Sequence, residues 1–195
     1  MQQKNHPFRK FSQWYEEAQA SKSIDDASAM CLSTATPMGA PSSRIVLLKA
    51  LDAEGFVFYT NMESRKSREL RANSAASLCF HWPPLGRQVR IEGHAEPVSD
   101  TEADMYFASR PRGSQIGAWA SKQSEVLNDR QALKDAVATY EKKFDGQEVP
   151  RPPHWSGWRV VPTRIEFWEH RASRLHYREA HIRTVDDWDI ALLYP

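Results

Sequence analysis

Residues able to do chemistry crowd into a few short stretches of this 195-residue sequence. The densest is Ser42–Leu70, SSRIVLLKALDAEGFVFYTNMESRKSREL. Ser64 reads as a helix N-cap, and Arg65 and Lys66 follow in the first turn. The helix dipole is already positive there, and each cation is disfavoured by roughly 0.3–1 kcal/mol. Two cations beside free backbone N–H groups make a site for an anion, most simply a phosphate. Arg44 and Lys49, just upstream, add two more. Any one of these cations is equally well read as solvated surface charge; four that converge favour a phosphate pocket.

Other candidates are weaker one by one. Tyr106, Arg110 and Ser114 fall four apart, so a hydroxyl, a guanidinium and a second hydroxyl could face one ligand. On spacing alone an ordinary amphipathic helix end is the better account. Gln88 lies on the polar face of a strand, and Gln123 and Ser124 are undecided by themselves. In Arg174-Leu-His176-Tyr-Arg178 a strand would place two arginines and an imidazole on one side. Like charge would then favour the neutral imidazole, suited to accept a proton or bond an anionic substrate. The remaining histidines lack such company. No histidine pair has metal-ligand spacing, and no nucleophile elbow, P-loop or Gly-rich dinucleotide fingerprint occurs.

The elements that must position these residues follow from periodicity and turn chemistry. Phe8, Phe11, Tyr15 and Ala18 predict an amphipathic helix over 7–20. A strand is expected over 29–34. Val46–Leu48 and Phe56–Phe58 around Asp52-Ala-Glu-Gly55 read as a β-hairpin, followed by the Ser64-capped helix. Strands are expected over 75–82 and 87–98, the second with Gln88, Arg90 and Glu92 on one face. Ser99-Asp-Thr-Glu102 matches a capping box opening a helix to about Arg110, interrupted by Pro111–Ser114. The segment from Ser114 to Leu127 has no clear period, and 129–144 is helical again. After a Pro-rich loop, GWRVVP, RIEFWEH, RLHYREAHIR and WDIALLYP read as four strands. Strands at both ends with helices between them, joined by short connections, predict a mostly β protein with added helices: one domain over 1–195, predominantly antiparallel and closed or nearly closed as a barrel.

Bulk properties narrow the function classes. The formal net charge is +1 and charged residues make up 26%, so no global field draws the chain to nucleic acid or a membrane. No run approaches membrane-spanning length, and the N-terminus lacks the apolar core of a signal peptide. Cys31 and Cys79 are expected as buried free thiols, consistent with a cytoplasmic location. Seven tryptophans point to aromatic packing or a wall for a planar ligand. Two clusters of phosphate-binding chemistry, many aromatics and a basic strand with an imidazole fit a protein holding two planar phosphorylated molecules.

Several motifs together resemble the pyridoxamine 5′-phosphate oxidase family: SRIVLLK, GFVFYTN-x-x-SRK, RQVRIEG, YFASRPRGSQIGAWASKQS, Pro150 to Trp155, and EFW followed by RLHYR. They run in order from about Asp26 to Pro195. The resemblance implies an FMN-binding split β-barrel and a homodimer with FMN in clefts shared by the subunits. It implies oxidation of pyridoxine 5′-phosphate or pyridoxamine 5′-phosphate to pyridoxal 5′-phosphate by hydride transfer from C4′ to the flavin N5, with O2 as acceptor, H2O2 released, and ammonia from the amine. Residue by residue, Arg44, Arg65, Lys66 and Ser124 match the FMN-phosphate group. Tyr59, Thr60 and Gln88 match flavin contacts on the same side, and Gln123, Trp168 and Arg178 match further flavin contacts, some from the partner chain. Lys49, Tyr106, Arg110 and Ser114 match the substrate-phosphate site. Arg174 and His176 match residues holding the substrate over the flavin, and Asp26 an acidic residue near it. Strand parity would turn Arg44 and Lys49 to opposite faces, one for each phosphate, unless a bulge intervenes.

The sequence departs from the family in having no recognisable basic, tyrosine-containing arm before Asp26, and in Tyr177 and Ser67. Tyr177 is expected to point away from Arg174 and His176. The nearest rival is a phenazine-pathway type of flavin oxidase on the same barrel, whose larger ring carries no phosphate for Lys49, Tyr106, Arg110 and Ser114. A non-catalytic FMN- or pyridoxal-phosphate-binding protein is the rival from another class. It need not keep Arg174 and His176.

Overall fold

The computed structural model describes residues 6–195; the stretch before them, read above for a leader, lies outside the described residues. Helix α1 (Pro7–Ala20) opens with proline at its first position, where the missing N–H costs nothing. It buries Phe11, Trp14 and Ala18. Phe11 meets Phe56 and Phe80 edge-on, at 4.9 and 5.0 Å between ring centroids, so α1 is part of the main core.

Strands β1 (Ala29–Ala35), β2 (Pro41–Leu47), β3 (Ala50–Leu51), β4 (Phe56–Asn61), β5 (Ala75–Trp82), β6 (Arg87–Pro97), β7 (Trp155–Glu169), β8 (Tyr177–Arg183) and β9 (Trp188–Leu192) form one antiparallel sheet. Its order is β2-β1-β5-β6-β7-β4-β3, with β8 and β9 branching from β7. The two ends of that order are successive in sequence. Leu48 N–H donates to Ser28 O on the β1 side, and Lys49 N–H donates to Val57 O on β4. One peptide step thus joins both edges, and the sheet curls into a barrel. The expected hairpin is corrected accordingly. β2 pairs with β1 (Arg44 opposite Leu32), and only Ala50 and Leu51 pair with β4. Turn chemistry made the local hairpin, but the hydrophobic run before it belongs to another strand pair.

Strand β7 is where the barrel splits. One edge follows β6 throughout, while the other pairs first with β4 and then with β8. The two strands expected on either side of Pro162 are therefore one, leaving three C-terminal strands. A bulge at Thr163 shifts the β6 register between Glu92 and Gly93, and a bulge is where a strand tolerates a proline. A Cβ on Gly93 would lie 2.0 Å from Val161 O, so only glycine permits that approach.

Among the helices, α2 (Arg65–Ala72) starts at Ser64 as expected, and α3 (Asp100–Ser109) carries the reciprocal Ser99–Glu102 capping box. Residues 112–120, without a clear period in sequence, form α4 (Arg112–Ala120), so Pro111 begins a helix and Ser114 lies inside it. α5 (Arg130–Lys143) is capped by the Asp129 carboxylate. Cys31 and Cys79 face each other across β1 and β5; both are free and half-buried rather than buried.

Candidate active site

A cavity of about 610 Å³ opens where β2, β4, α2 and α3 meet. Arg44, Lys49, Arg65 and Lys66 line it together, with Tyr106, Arg110, Gln123 and Ser124 opposite. The parity expectation for Arg44 and Lys49 fails. The chain changes partner strand between Leu48 and Lys49, and both side chains turn into one cavity.

Lys66 is the centre of one end. It is buried, and its Nζ donates to Gln123 Oε1 (2.9 Å), Thr60 Oγ1 (3.0 Å) and Ser64 Oγ (3.2 Å). Ser64 thus holds the N-cap position without its side chain capping the helix. Among the described residues no carboxylate lies within ion-pair distance of Lys66. Burial, with Arg44 nearby, pushes its pKa down to about 8. A buried ammonium with only neutral acceptors is poised for an anion. Arg44 and Arg65 flank it and share one carboxylate: Arg65 Nε donates to Glu69 Oε1 at 2.9 Å, and Arg44 Nη2 lies 3.3 Å from Glu69 Oε2. Burial would raise the Glu69 pKa, but hydrogen bonds from Ser42, Thr34 and Arg65 outweigh it and hold it at about 2. Three cations against one carboxylate leave net positive charge where the first turn of α2 presents its N–H groups.

The other end is aromatic. Tyr59 stacks on Tyr106 (centroids 4.1 Å apart, 12° between planes) and on Trp155 (5.5 Å, 5°). Arg110, the C-cap of α3, lies with its guanidinium carbon 4.7 Å above the Trp155 ring. Its Nη1 is buried and, among the described residues, has no hydrogen-bond partner. Burial lowers the Arg110 pKa. A half-buried guanidinium that lines the cavity, keeps one N–H unpartnered and has no carboxylate partner among the described residues fits a second anion. Ser114 lines a smaller adjoining recess of about 340 Å³ that shares Arg110, Tyr59 and Gln123. Asp26 stands on the far side of Lys49, in a separate recess, where its carboxylate accepts from the Ser28 N–H and hydroxyl.

The remaining candidates lie elsewhere on the sheet. Gln88, Trp168 and Arg178 are direct cross-strand partners on β6, β7 and β8, so they form one row on one face. None lines the cavity, so within one chain Gln88 is not grouped with Tyr59 and Thr60. Arg178 Nε donates to the buried Glu166 at 2.9 Å, and Arg90 and Arg164 stand 3.6 and 3.5 Å from the same carboxylate. Arg174 and His176 precede β8 instead of lying in it, so they share no strand face with Arg178. Ser173 and Arg174 occupy left-handed backbone (φ 56° and 60°), strain that clusters at functional turns. His176 packs against Trp168 at 4.6 Å and accepts from the Arg171 N–H through Nδ1. Desolvation, His170 and Arg174 lower its pKa, which favours the neutral ring. Within one chain most candidates therefore fall into two groups, the cavity with its adjoining recess and the sheet-face row with the turn that precedes β8; Asp26 belongs to neither.

Sequence comparison decides the family. Residues 16–144 match pyridoxamine 5′-phosphate oxidase, and residues 155–195 match the pyridoxine 5′-phosphate oxidase C-terminal dimerisation region. The chain belongs to the pyridoxamine 5′-phosphate oxidase family. Pyridoxine/pyridoxamine 5′-phosphate oxidases of Myxococcus xanthus (strain DK1622) and Mesorhizobium japonicum are each 54% identical to it, covering 97% of this chain and 91% and 92% of theirs. Among solved structures, PhzG from Burkholderia lata 383, in complex with tetrahydrophenazine-1-carboxylic acid, superposes with a TM-score of 0.93 at 33% identity. That match covers 100% of this chain and 95% of PhzG. A pyridoxamine 5′-phosphate oxidase-related, FMN-binding protein from Nostoc punctiforme PCC 73102 shares the fold (TM-score 0.76, 16% identity, 97% and 98% covered). In this oxidase-family chain, β7 to β9 with Trp168, Arg174, His176 and Arg178 fall within the dimerisation region.

Three members of these groups escaped sequence reasoning. Glu69, at i+4 from Arg65, was readable as an ion-pair partner. Trp155 and Glu166 carried no local signal, because their partners come from α3 and from β6 and β8.

Proposed function

We propose that the protein is an FMN-dependent oxidase of the homodimeric type, converting pyridoxine 5′-phosphate or pyridoxamine 5′-phosphate to pyridoxal 5′-phosphate with O2 consumed and H2O2 released. The observation that carries the reading is the pair of cations, Lys66 and Arg110, that line one cavity with no carboxylate partner among the described residues. Lys66 is buried among neutral acceptors, and Arg110 keeps a buried N–H unpartnered. Two anions joined to planar rings would satisfy both. FMN, when bound, supplies the hydride acceptor and is reoxidised by oxygen.

In this reading Lys66, Arg65, Arg44 and Ser124 hold the FMN phosphate, with Gln123 and Thr60 fixing the lysine. Lys49, Tyr106, Arg110 and Ser114 hold the substrate phosphate, and the Tyr59–Tyr106–Trp155 stack walls that end. Gln88, Trp168 and Arg178 complete the flavin site from the partner subunit, whose Arg174 and His176 align the substrate's C4′, and Asp26 lies near the substrate. The separation of the two groups within one chain supports such sharing. Anchoring the phosphate, remote from the reacting carbon, supplies binding energy for alignment. Neutral His176, whose Nδ1 accepts the Arg171 N–H, carries its proton on Nε2 and can donate a hydrogen bond to the substrate, and Arg174 presents a fixed cation. A cytoplasmic location fits two free thiols.

PhzG-like chemistry on a phenazine precursor is the second reading, favoured by the 0.93 TM-score. The retained phosphate set of Lys49, Tyr106 and Arg110 argues for the first. Anaerobic titration of FMN-loaded protein with pyridoxine 5′-phosphate tests it. The visible flavin band is expected to bleach and to return on admitting air. No bleaching with this substrate, but bleaching with a dihydrophenazine carboxylate, would overturn it.

A further inference from the structure

Arg159 lies in β7 with its side chain only 9% exposed, and it belongs to neither group above. A single nitrogen, Nη2, donates to two carboxylates: Asp52 Oδ2 at 2.6 Å and Glu102 Oε1 at 2.7 Å. Glu54 approaches Nη1 at 3.4 Å. The Arg159 Nε is buried without a partner among the described residues, so the clamp is not arranged for hydrogen-bond economy.

What the clamp joins is informative. Asp52 ends the short β3 that begins one residue after Lys49, and it shapes the turn to β4 by accepting the Glu54 and Gly55 N–H groups on Oδ1. Glu102 sits in the first turn of α3, one and two helical repeats before Tyr106 and Arg110. α3 is otherwise held by the Tyr106 stack, by the packing of Phe107 on Trp155 and by Arg151. Of its ten residues only Ala103 and Phe107 are buried, and the Arg151 pairs to Asp100 and Asp104 end on exposed carboxylates.

We infer that Arg159 is a positioning residue: through Asp52 and Glu102 it sets the distance between Lys49 and the Tyr106–Arg110 pair, and so the width of the substrate-phosphate end of the cavity. The inference rests on the reading above. Its specificity consequence is that the clamp tunes affinity for the phosphorylated substrate without touching it, and leaves the FMN end, built on α2 and Gln123, unaffected.

Two conservative variants isolate this role. Glu102→Gln preserves a capping-box residue, and Asp52→Asn preserves the turn acceptor, while each removes a charge from Arg159. Wild type is measured first, for turnover of pyridoxine 5′-phosphate and for binding of pyridoxal 5′-phosphate to FMN-loaded protein by difference absorbance. If wild type does neither, the functional reading falls and takes this inference with it. If wild type does both, each variant is expected to raise KM and the pyridoxal 5′-phosphate Kd about 10-fold, with kcat less affected and FMN affinity unchanged. Arg159→Lys, which keeps the charge on β7, should raise KM and Kd less than Arg159→Ala. Unchanged KM and Kd, or FMN affinity falling in parallel with them, would overturn the assignment.

Discussion

Lys66 Nζ stands 2.9 Å from Gln123 Oε1, a contact between residues 57 apart in sequence that ties the first turn of α2 to the loop after α4. That loop holds Ser124 in left-handed backbone at φ 75°, beside the lysine. The lysine's charge is unneutralised, and its pKa of about 8 lies well below that of an ordinary lysine.

FMN binding should therefore weaken with rising pH. A phosphate favours the charged lysine, so the bound-state pKa exceeds the free-state value of about 8. Affinity is full below pH 8 and falls above it, until the bound-state pKa is passed. Flavin fluorescence titrations from pH 6.5 to 9.5 would read this, and Lys66→Met should bind more weakly with the slope removed. The FMN-free protein should show the opposite trend in stability. Its folded-state pKa is depressed, so raising the pH from about 8 toward 10.5 relieves the buried charge and raises the melting temperature.

Gly157→Ala should damage the substrate end. A Cβ there would lie 2.7 Å from Cδ1 of Tyr59, which would have to leave its stack with Tyr106 and Trp155. Overpacking of this kind costs about 1–3 kcal/mol. A lower midpoint in urea and a raised KM for pyridoxine 5′-phosphate are expected.

Arg174→Ala is expected to lower kcat/KM more than His176→Ala. Hydride transfer depends on alignment, and Arg174 holds its left-handed turn as a fixed cation, whereas His176 is already biased toward the neutral form. Steady-state kinetics on both variants, with FMN content matched, check the order. Equal effects or the reverse order would count against it.

Glu166→Ala would leave Arg164 and Arg178 without their carboxylate, and Arg90 with Glu92 alone, around a site only 3% exposed. Loss of the one charged hydrogen bond, from Arg178 Nε, costs about 1.5–3 kcal/mol. Weaker self-association in sedimentation and looser FMN binding should appear together, because Arg178 is the residue that Glu166 orients.

Acid should open the protein through two carboxylates. Glu69 and Glu179 are each held at about 2 against an ordinary 4.5. For Glu179, burial is outweighed by hydrogen bonds from Lys10, Tyr177 and His181. Folded-state values below the unfolded ones give stability that is complete above pH 4.5 and lost as pH falls toward 2. Urea midpoints across that range should decline, less steeply in Glu69→Gln.

The sequence by itself determined α1, the strands at 29–35, 75–82 and 87–97, the Ser99–Glu102 box and the Asp129 cap. In each case the signal is carried by neighbours a few residues apart: periodicity of burial, a capping side chain, a turn. Its motifs also marked Lys49, Lys66 and Arg110 for phosphate binding, and the structure turns them into one cavity. Only the tertiary structure decided the rest. The strand exchange between Leu48 and Lys49 depends on the whole sheet curling until its edges meet, and it overrides the parity that separates Arg44 from Lys49. Pro162 ends no strand because a bulge opposite Gly93 absorbs it. Arg174 and His176 leave the strand row because their turn takes left-handed backbone. Glu166 and Arg159 find their roles through charges brought in from other strands and helices, 107 residues away in the case of Asp52. Such pairings are made by strand order and helix placement, and no local pattern of residues encodes them.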